Sequence, residues 1–208
     1  MKLNAIEKFL MNNPVRAYAQ NKIEAEMFEK FGGKTEGQRV LEIGCGRGFG
    51  TEIILERFGA GEVHAFDLDP QMIELAEKRL AGFSGKNLRL YVGDAEKIDA
   101  PDNFYDAVFD FGIVHHVPRW QNSIREVARV LKPGGKFYFE EVTRKALNRW
   151  FYRTFLEHPK ENRFSGEHFV AELEKNGIEV GKNFTYWFFD DLLVGVGRKK
   201  NAAVRAAA

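Results

Sequence analysis

Val40-Leu41-Glu42-Ile43-Gly44-Cys45-Gly46-Arg47-Gly48 is the stretch on which the reading of this 208-residue chain turns. Its first half, apolar with one acid inside it, has the character of a parallel strand buried on both faces. Its second half sets three glycines two residues apart. Only glycine lacks the Cβ that would hold a neighbour off, so the spacing predicts a turn whose backbone comes close to something else. Thr51 to Phe58 follows with helical character. The turn therefore opens onto a helix N-terminus, the arrangement of a nucleotide cradle.

Working outward, strands are expected at 39–43, 62–67, 87–92, 105–110 and 136–142. Helices are expected at 48–58, from Pro70 to Ala81, and at 120–131, the last halted by Lys132-Pro133-Gly134-Gly135. This alternation implies a parallel sheet with helices on both faces. The rhythm then changes. Residues 143–165 form an extra segment, and Gly166–Asn176 is expected to be a helix ended by Gly177. Two extended runs, 180–189 and 192–199, meet at Asp190-Asp191, too close for a crossover helix, so they should pair antiparallel. Before the first strand, residues 3–31 divide into two helical pieces at Asn12-Asn13-Pro14, with Asn13 as cap and Pro14 at the first position of the second piece. The organisation expected is an N-terminal helical lid (1–35), a main domain (36–200) with an insertion at 143–165, and a low-complexity tail (201–208).

Composition narrows the class. The chain is long enough for one domain with a sizeable core, to which 19 Phe residues contribute. A net charge of +1 offers no broad basic field, so nucleic acid is not an expected partner. The single cysteine, Cys45, cannot form an internal disulfide and points to a reducing, cytoplasmic setting. No signal-peptide pattern opens the chain and no run of 18 apolar residues occurs.

Two kinds of cofactor suit a glycine turn after a first strand: nicotinamide or flavin dinucleotides, and S-adenosylmethionine. A dinucleotide fingerprint needs Gly-x-Gly-x-x-Gly. Counted from Gly44 its last position is Phe49, and from Gly46 it is Thr51. The spacing present is instead Glu42-x-Gly44-x-Gly46-x-Gly48. Asp67, in Phe66-Asp67-Leu68-Asp69-Pro70, ends the second strand, where a carboxylate can accept two ribose hydroxyls. Asp94, in Val92-Gly93-Asp94-Ala95, ends the third, where an acid can accept from an adenine amino group. Phe104-Tyr105-Asp106-Ala107-Val108-Phe109-Asp110 then runs into Val114-His115-His116-Val117.

With these motifs in order, residues 36–142 resemble the class I S-adenosylmethionine-dependent methyltransferases. They are most similar to the branch with His-His-Val after the fourth strand and Arg-Val-Leu-Lys-Pro-Gly-Gly, here Arg129 to Gly135, before the fifth. The resemblance implies a Rossmann-like three-layer sandwich whose seven-stranded, mostly parallel sheet runs 3-2-1-4-5-7-6 with an antiparallel last strand. It implies that Gly44, Cys45, Gly46 and Gly48 line the methionine part of the cofactor. Glu42 would orient the loop or the cofactor amine, Asp67 with Leu68 would hold the ribose, and Asp94 with Ala95 the adenine end. Asp110 would lie beside the transferable methyl group, a position where the family often has Ser or Asn.

Each residue also has a plainer role. Asp67 could cap the helix at Pro70, although Asp69 is better placed. Asp94 could cap a short helix at 95–98. Asp106 is structural, and Cys45 is a small loop residue with no base near it in sequence. His115 is the candidate general base. Two adjacent residues cannot face one point on a regular element, so at most one of His115 and His116 is expected to reach a pocket. No spaced Cys or His cluster suggests a metal. In 144–156, Lys145, Arg149 and Arg153 share one helical side, opposite Leu147, Trp150, Phe151 and Phe155. Packing on the core or as a lid is the leading reading, and peripheral membrane contact the other.

The function expected is methyl transfer to a small molecule, with lipid-like or quinone-like acceptors suggested by 144–156. A macromolecular (protein or RNA) methyltransferase would need a basic stripe beside the pocket. A non-catalytic S-adenosylmethionine-binding protein would close the pocket around the methyl group.

Overall fold

The computed structural model describes residues 20–83, 87–150, 159 and 161–201. The expected break at Asn12–Pro14, the outer half of 144–156 (Phe151, Arg153, Phe155) and the tail beyond Asn201 lie outside these residues.

Eight strands form one sheet: β1 (Arg39–Ile43), β2 (Glu62–Asp67), β3 (Asn87–Val92), β4 (Tyr105–Phe111), β5 (Leu131–Val142), β6 (Ile178–Glu179), β7 (Phe184–Trp187) and β8 (Leu192–Lys199). The order is β3-β2-β1-β4-β5-β8-β6, with β7 also on β8. The first five are parallel, and β8 turns antiparallel against β5. This is the expected sheet with one refinement. The run placed at 180–189 is shortened to β7, and a further two-residue strand, β6, precedes it; both are antiparallel to β8, with β6 at its Lys199 end and β7 at its Leu192 end. Gly181, in left-handed backbone at φ 57°, and a turn from Asn183 N–H to the Val180 carbonyl (3.1 Å) interrupt the pairing between them.

The helices are α1 (Ala25–Gly32), α2 (Phe49–Glu56), α3 (Pro70–Arg79), α4 (Trp120–Val130), a single turn α5 (Arg144–Leu147) and α6 (Gly166–Lys175). Asp69 caps α3, accepting from Gln71 N–H at 3.2 Å, with Pro70 at the first position. Ser165 caps α6 through His168 N–H. The Lys132–Gly135 stop is a bulge at the start of β5, where pairing jumps from Tyr105 with Leu131 to Ala107 with Lys136.

Alternate side chains of each strand enter two cores. Leu41, Val108, Phe137 and Phe139 meet α4 and α6 through Trp120, Ile124 and Phe169. Val40, Phe109 and Tyr138 meet α1 through Phe28, α2 through Ile54, and Phe58 just beyond the end of α2. Phe109 and Tyr138 stack at 4.2 Å. Tyr138 donates its hydroxyl proton to the carbonyls of Gly32 (3.1 Å) and Gly33 (2.9 Å), which fastens the end of α1. Truncating Phe109 to Ala would cost about 3–5 kcal/mol. Asp106 accepts from Arg39 N–H and pairs with Lys132 at 2.7 Å, the structural role expected of it. Ile43 pairs in register with Phe66 on one side and Asp110 on the other. The C-terminal ends of β1, β2 and β4 therefore finish at one level, and the loops that leave them share one edge of the sheet.

Candidate functional site

The loop after β1 is built from backbone. Gly44, Gly46 and Gly48 have φ of 68°, 52° and 84°, left-handed values that side chains disfavour. A Cβ on Gly44 would come within 2.5 Å of Ile113, whereas one on Gly46 would meet nothing within 4 Å. The loop is thus packed below at Gly44 and bare above at Gly46. Asp67 braces it. One carboxylate oxygen accepts from Gly46 N–H and the other from Asp69 N–H, both at 2.9 Å. The cap of α3 is Asp69, so Asp67 is left to tie the loop to the end of β2.

Glu42 is buried beneath the first turn of α2. It accepts from the Thr51 hydroxyl, and a Cβ on Gly50 would fall 2.1 Å from its Oε1. Burial pushes its carboxyl up to about 8; the Asp67 and Asp110 carboxylates push the same way, and the Thr51 bond opposes them. The Cys45 thiol is likewise pushed well up by burial and by Glu42 and Asp67, which leaves it a neutral packing group.

At the next edge positions, Leu68 and Val92 are exposed apolar side chains beside Asp67. Asp94 accepts from Glu96 N–H at 2.8 Å and Lys97 N–H bonds back to the Asp94 carbonyl, so 94–97 is a tight turn and not the short helix that a capping Asp94 would start. Ala95 is buried in the core.

The loop after β4 is built from side chains. Gly112 N–H and Ile113 N–H donate to Asp110 Oδ1 at 3.1 and 2.9 Å. Val114 N–H and His115 N–H donate to the two oxygens of Glu141 at 2.7 and 3.0 Å. Four consecutive backbone donors are thus shared between two fully buried carboxyls. His115 Nδ1 lies 2.6 Å from Glu141 Oε2. Burial, Glu141 and Glu140 raise Asp110 well above the carboxylate range. Burial raises Glu141 to about 7, against the bonds it accepts. The turn Val114–His116 is a short 3₁₀ helix, and the His115 and His116 rings pack together 4.2 Å apart, both buried. His64, by contrast, is a core histidine between Tyr105 and Glu62.

Sequence reasoning missed Glu141. Its only signal was the pair Glu140-Glu141 closing a run of buried aromatics at the same sheet edge. The partner of 144–149 was also missed. Lys145 donates to the Phe189 carbonyl (2.6 Å) and Asp190 (3.0 Å), and Arg149 pairs with Asp191 (2.9 Å). Two of the three basic side chains on that face are therefore spent on the β7–β8 turn. On the apolar side Leu147 is buried and Trp150 is exposed. A cleft of about 480 Å³ opens here, lined by Thr143, Lys145, Ser165, Tyr186 and Asp190. Among the described residues, no three His, Cys, Asp or Glu side chains converge as metal ligands, and no helix is long and apolar enough to cross a membrane.

Comparison with known proteins bears on this geometry. Residues 40–135 match a family model described as a methyltransferase domain. The chain is 37% identical over 109 residues to a fatty-acid O-methyltransferase of Mycolicibacterium smegmatis, covering 51% of this chain and 38% of that protein. It is 31% identical over 146 residues to a demethylmenaquinone methyltransferase of Staphylococcus aureus, covering 69% of this chain and 59% of that one. The chain thus spans less than two thirds of either relative. The fold is similar to a SAM-dependent methyltransferase structure from Aquifex aeolicus, with TM-score 0.71, 22% identity, and coverage of 95% of this chain and 99% of that one.

Proposed function

We infer, from a chain that belongs through residues 40–135 to the class I S-adenosylmethionine-dependent methyltransferases, that the protein transfers a methyl group from S-adenosylmethionine to a small acceptor of lipid-like or quinone-like chemistry. The observation that carries this is the glycine loop, bare at Gly46 and braced by Asp67. A Cβ would occupy the space that Gly46 leaves. The Asp67 carboxylate beside it can accept from a cofactor's hydroxyls, and the buried Glu42 and Asp110 carboxyls add no negative charge there while they keep their protons. The residues present therefore fit the group. Gly44, Cys45, Gly46 and Gly48 would hold its methionine part, with Glu42 and Asp110 shaping the loops on either side from beneath. Asp67 and Leu68 would hold the ribose, and Asp94 and Ala95 the adenine.

When bound, the cofactor supplies an electrophilic methyl group on a sulfonium. The chain's own work is orientation and exclusion of water, which can lower a barrier by about 7–11 kcal/mol at the upper end. His115 would take a proton from an acceptor that carries one. The acceptor class draws support from the relatives, one named for fatty acids and one for demethylmenaquinone.

Thermal shift with S-adenosylmethionine, S-adenosylhomocysteine and NAD tests the cofactor. The first two should raise the midpoint and NAD should not. Stabilisation by NAD alone would overturn the reading. Asp67→Ala should weaken S-adenosylmethionine binding about tenfold by calorimetry, equivalent to about 1.4 kcal/mol; unchanged affinity removes Asp67 from the ribose site.

A further inference from the structure

The cleft between α5 and the start of α6 opens at the same sheet edge as the glycine loop. It follows β5, two strands and about 10 Å along that edge from β1. Most of its polar groups are spent on one another. Lys145 pairs with Asp190. Glu167 accepts from the Tyr186 hydroxyl at 2.7 Å and from Ser165. Asn148 Oδ1 accepts from Arg163 at 2.9 Å. Two donors are left over, the Arg144 guanidinium and the Asn148 side-chain amide nitrogen, which meet no acceptor among the described residues. Arg144 starts α5 and Asn148 ends it, four positions on, so the two share one side of the turn. One is charged and neither can accept. Their complement is an anion with several oxygens, which a guanidinium holds through two parallel hydrogen bonds.

Beside the cleft the surface is apolar. Phe188 and Phe189, which precede Asp190 in the β7–β8 turn, are 56% and 86% exposed. With Asp190 they have φ of 48°, 57° and 66°, left-handed values that bulky side chains disfavour. Neighbours hold the turn in this shape. Thr143 donates its N–H to the Asp191 carbonyl (2.9 Å) and its hydroxyl proton to the Asp190 carbonyl (2.8 Å), and Lys145 donates to the Phe189 carbonyl. Three disfavoured residues that turn two phenyl rings out to water contribute nothing to the core. An apolar ligand lying across the rings accounts for them.

We propose that the cleft and this turn bind a single-chain amphiphile with an acid head, carboxylate or phosphate, the head on Arg144 and Asn148 and the chain on Phe188 and Phe189. That this ligand is the methyl acceptor rests on the methyltransferase reading above, which it narrows to an acid-headed, lipid-like molecule. The acid head is then a handle and not the methylated atom, because two strands separate it from the glycine loop.

Calorimetry of the full chain without cofactor tests the site, with dodecyl phosphate, dodecanoate and dodecanol kept below the concentrations at which they aggregate. Both acids should bind, and the alcohol about tenfold more weakly. Arg144→Gln should weaken dodecyl phosphate binding about tenfold and Phe189→Ser about threefold. Both side chains are exposed, so both variants should keep the wild-type unfolding midpoint. Arg198→Gln, a charge lost at the opposite end of β8, should leave binding unchanged. Equal binding of acid and alcohol, unchanged affinity in Arg144→Gln, or an equal loss in Arg198→Gln overturns the proposal. So does binding to vesicles of an anionic phospholipid with none to the free amphiphile, which would make the turn a membrane contact. Saturating S-adenosylhomocysteine should leave the amphiphile bound; mutual exclusion would place it on the glycine loop and also overturn the proposal. If S-adenosylmethionine gives no thermal shift while dodecyl phosphate still binds, the cofactor reading fails and this site stands, so the two failures are distinguishable.

Discussion

Two loops leave the same edge of the sheet and are built on opposite principles. The loop after β1 is made of backbone. Its glycines take left-handed values and its brace, Asp67, lies 21 positions from Gly46, at the end of the adjacent strand. The loop after β4 is made of buried side chains, with Glu141 reaching His115 from 26 positions away. The first is a surface against which a ligand can lie. The second is a sealed set of proton sites whose charge depends on its neighbours. A backbone site tolerates no added atoms, whereas a side-chain site tolerates no lost partner.

The largest break should come in the second loop. Glu141→Ala strips the acceptor from two backbone N–H groups and an imidazole and leaves Asp110 with no partner for its proton. A loss of about 3–5 kcal/mol in urea unfolding is expected. A loss below 1 kcal/mol would mean that water or other groups replace Glu141.

Titration should separate the loops next. Glu42, pushed up to about 8, keeps a proton in the folded protein that the unfolded chain releases near 4.5. The folded state therefore binds more protons between these values, and stability falls as pH rises through that window and levels off above it. Glu141, at about 7, contributes in the same direction. Glu42→Gln should flatten the fall of the unfolding midpoint between pH 5 and 8 and recover up to about 4 kcal/mol at the alkaline end. A wild-type protein equally stable at pH 5 and 8 would refute the assignment.

A paired substitution probes the first loop. Gly44→Ala forces a Cβ into Ile113 at 2.5 Å in left-handed backbone and should cost about 2–3 kcal/mol. Gly46→Ala meets only the backbone penalty, about 1 kcal/mol. Its larger effect should be on S-adenosylmethionine affinity, because the added methyl enters the bare side of the loop. Equal destabilisation by the two would remove the distinction between a packed and an open face. The smallest effect is expected outside both loops. Lys145→Ala cuts an exposed ion pair to Asp190 and should change stability by less than about 0.5 kcal/mol in chemical denaturation.

The chain's linear order carried most of the frame. Strand bounds at 39–43, 62–67 and 87–92 follow from apolar runs between turn residues, and the observed strands keep them. The glycine loop was legible because its cause is local: positive φ and close approach demand glycine wherever the chain goes next. The place of Asp67 at the end of β2 was legible because the end of a second parallel strand is a fixed place in such folds, whereas its bond to Gly46 N–H was not. The division of the run after α6 into β6 and β7 was not, since a kink at Gly181 depends on how each half pairs with β8. Lys145 and Arg149 looked like a solvent face, and only the fold brings Asp190 and Asp191 to them.

The sequence by itself determined that the chain is a layered α/β protein with a glycine cradle and acids at the ends of successive strands. Periodicity and the steric demands of glycine are properties of neighbouring residues, and they survive without a third dimension. Only the tertiary structure decided which carboxyls are dry, which of them holds a proton and which holds a histidine. Burial and charge coupling act across space, and between Asp110, His115 and Glu141 they act over a few ångströms that the chain takes 31 residues to cross.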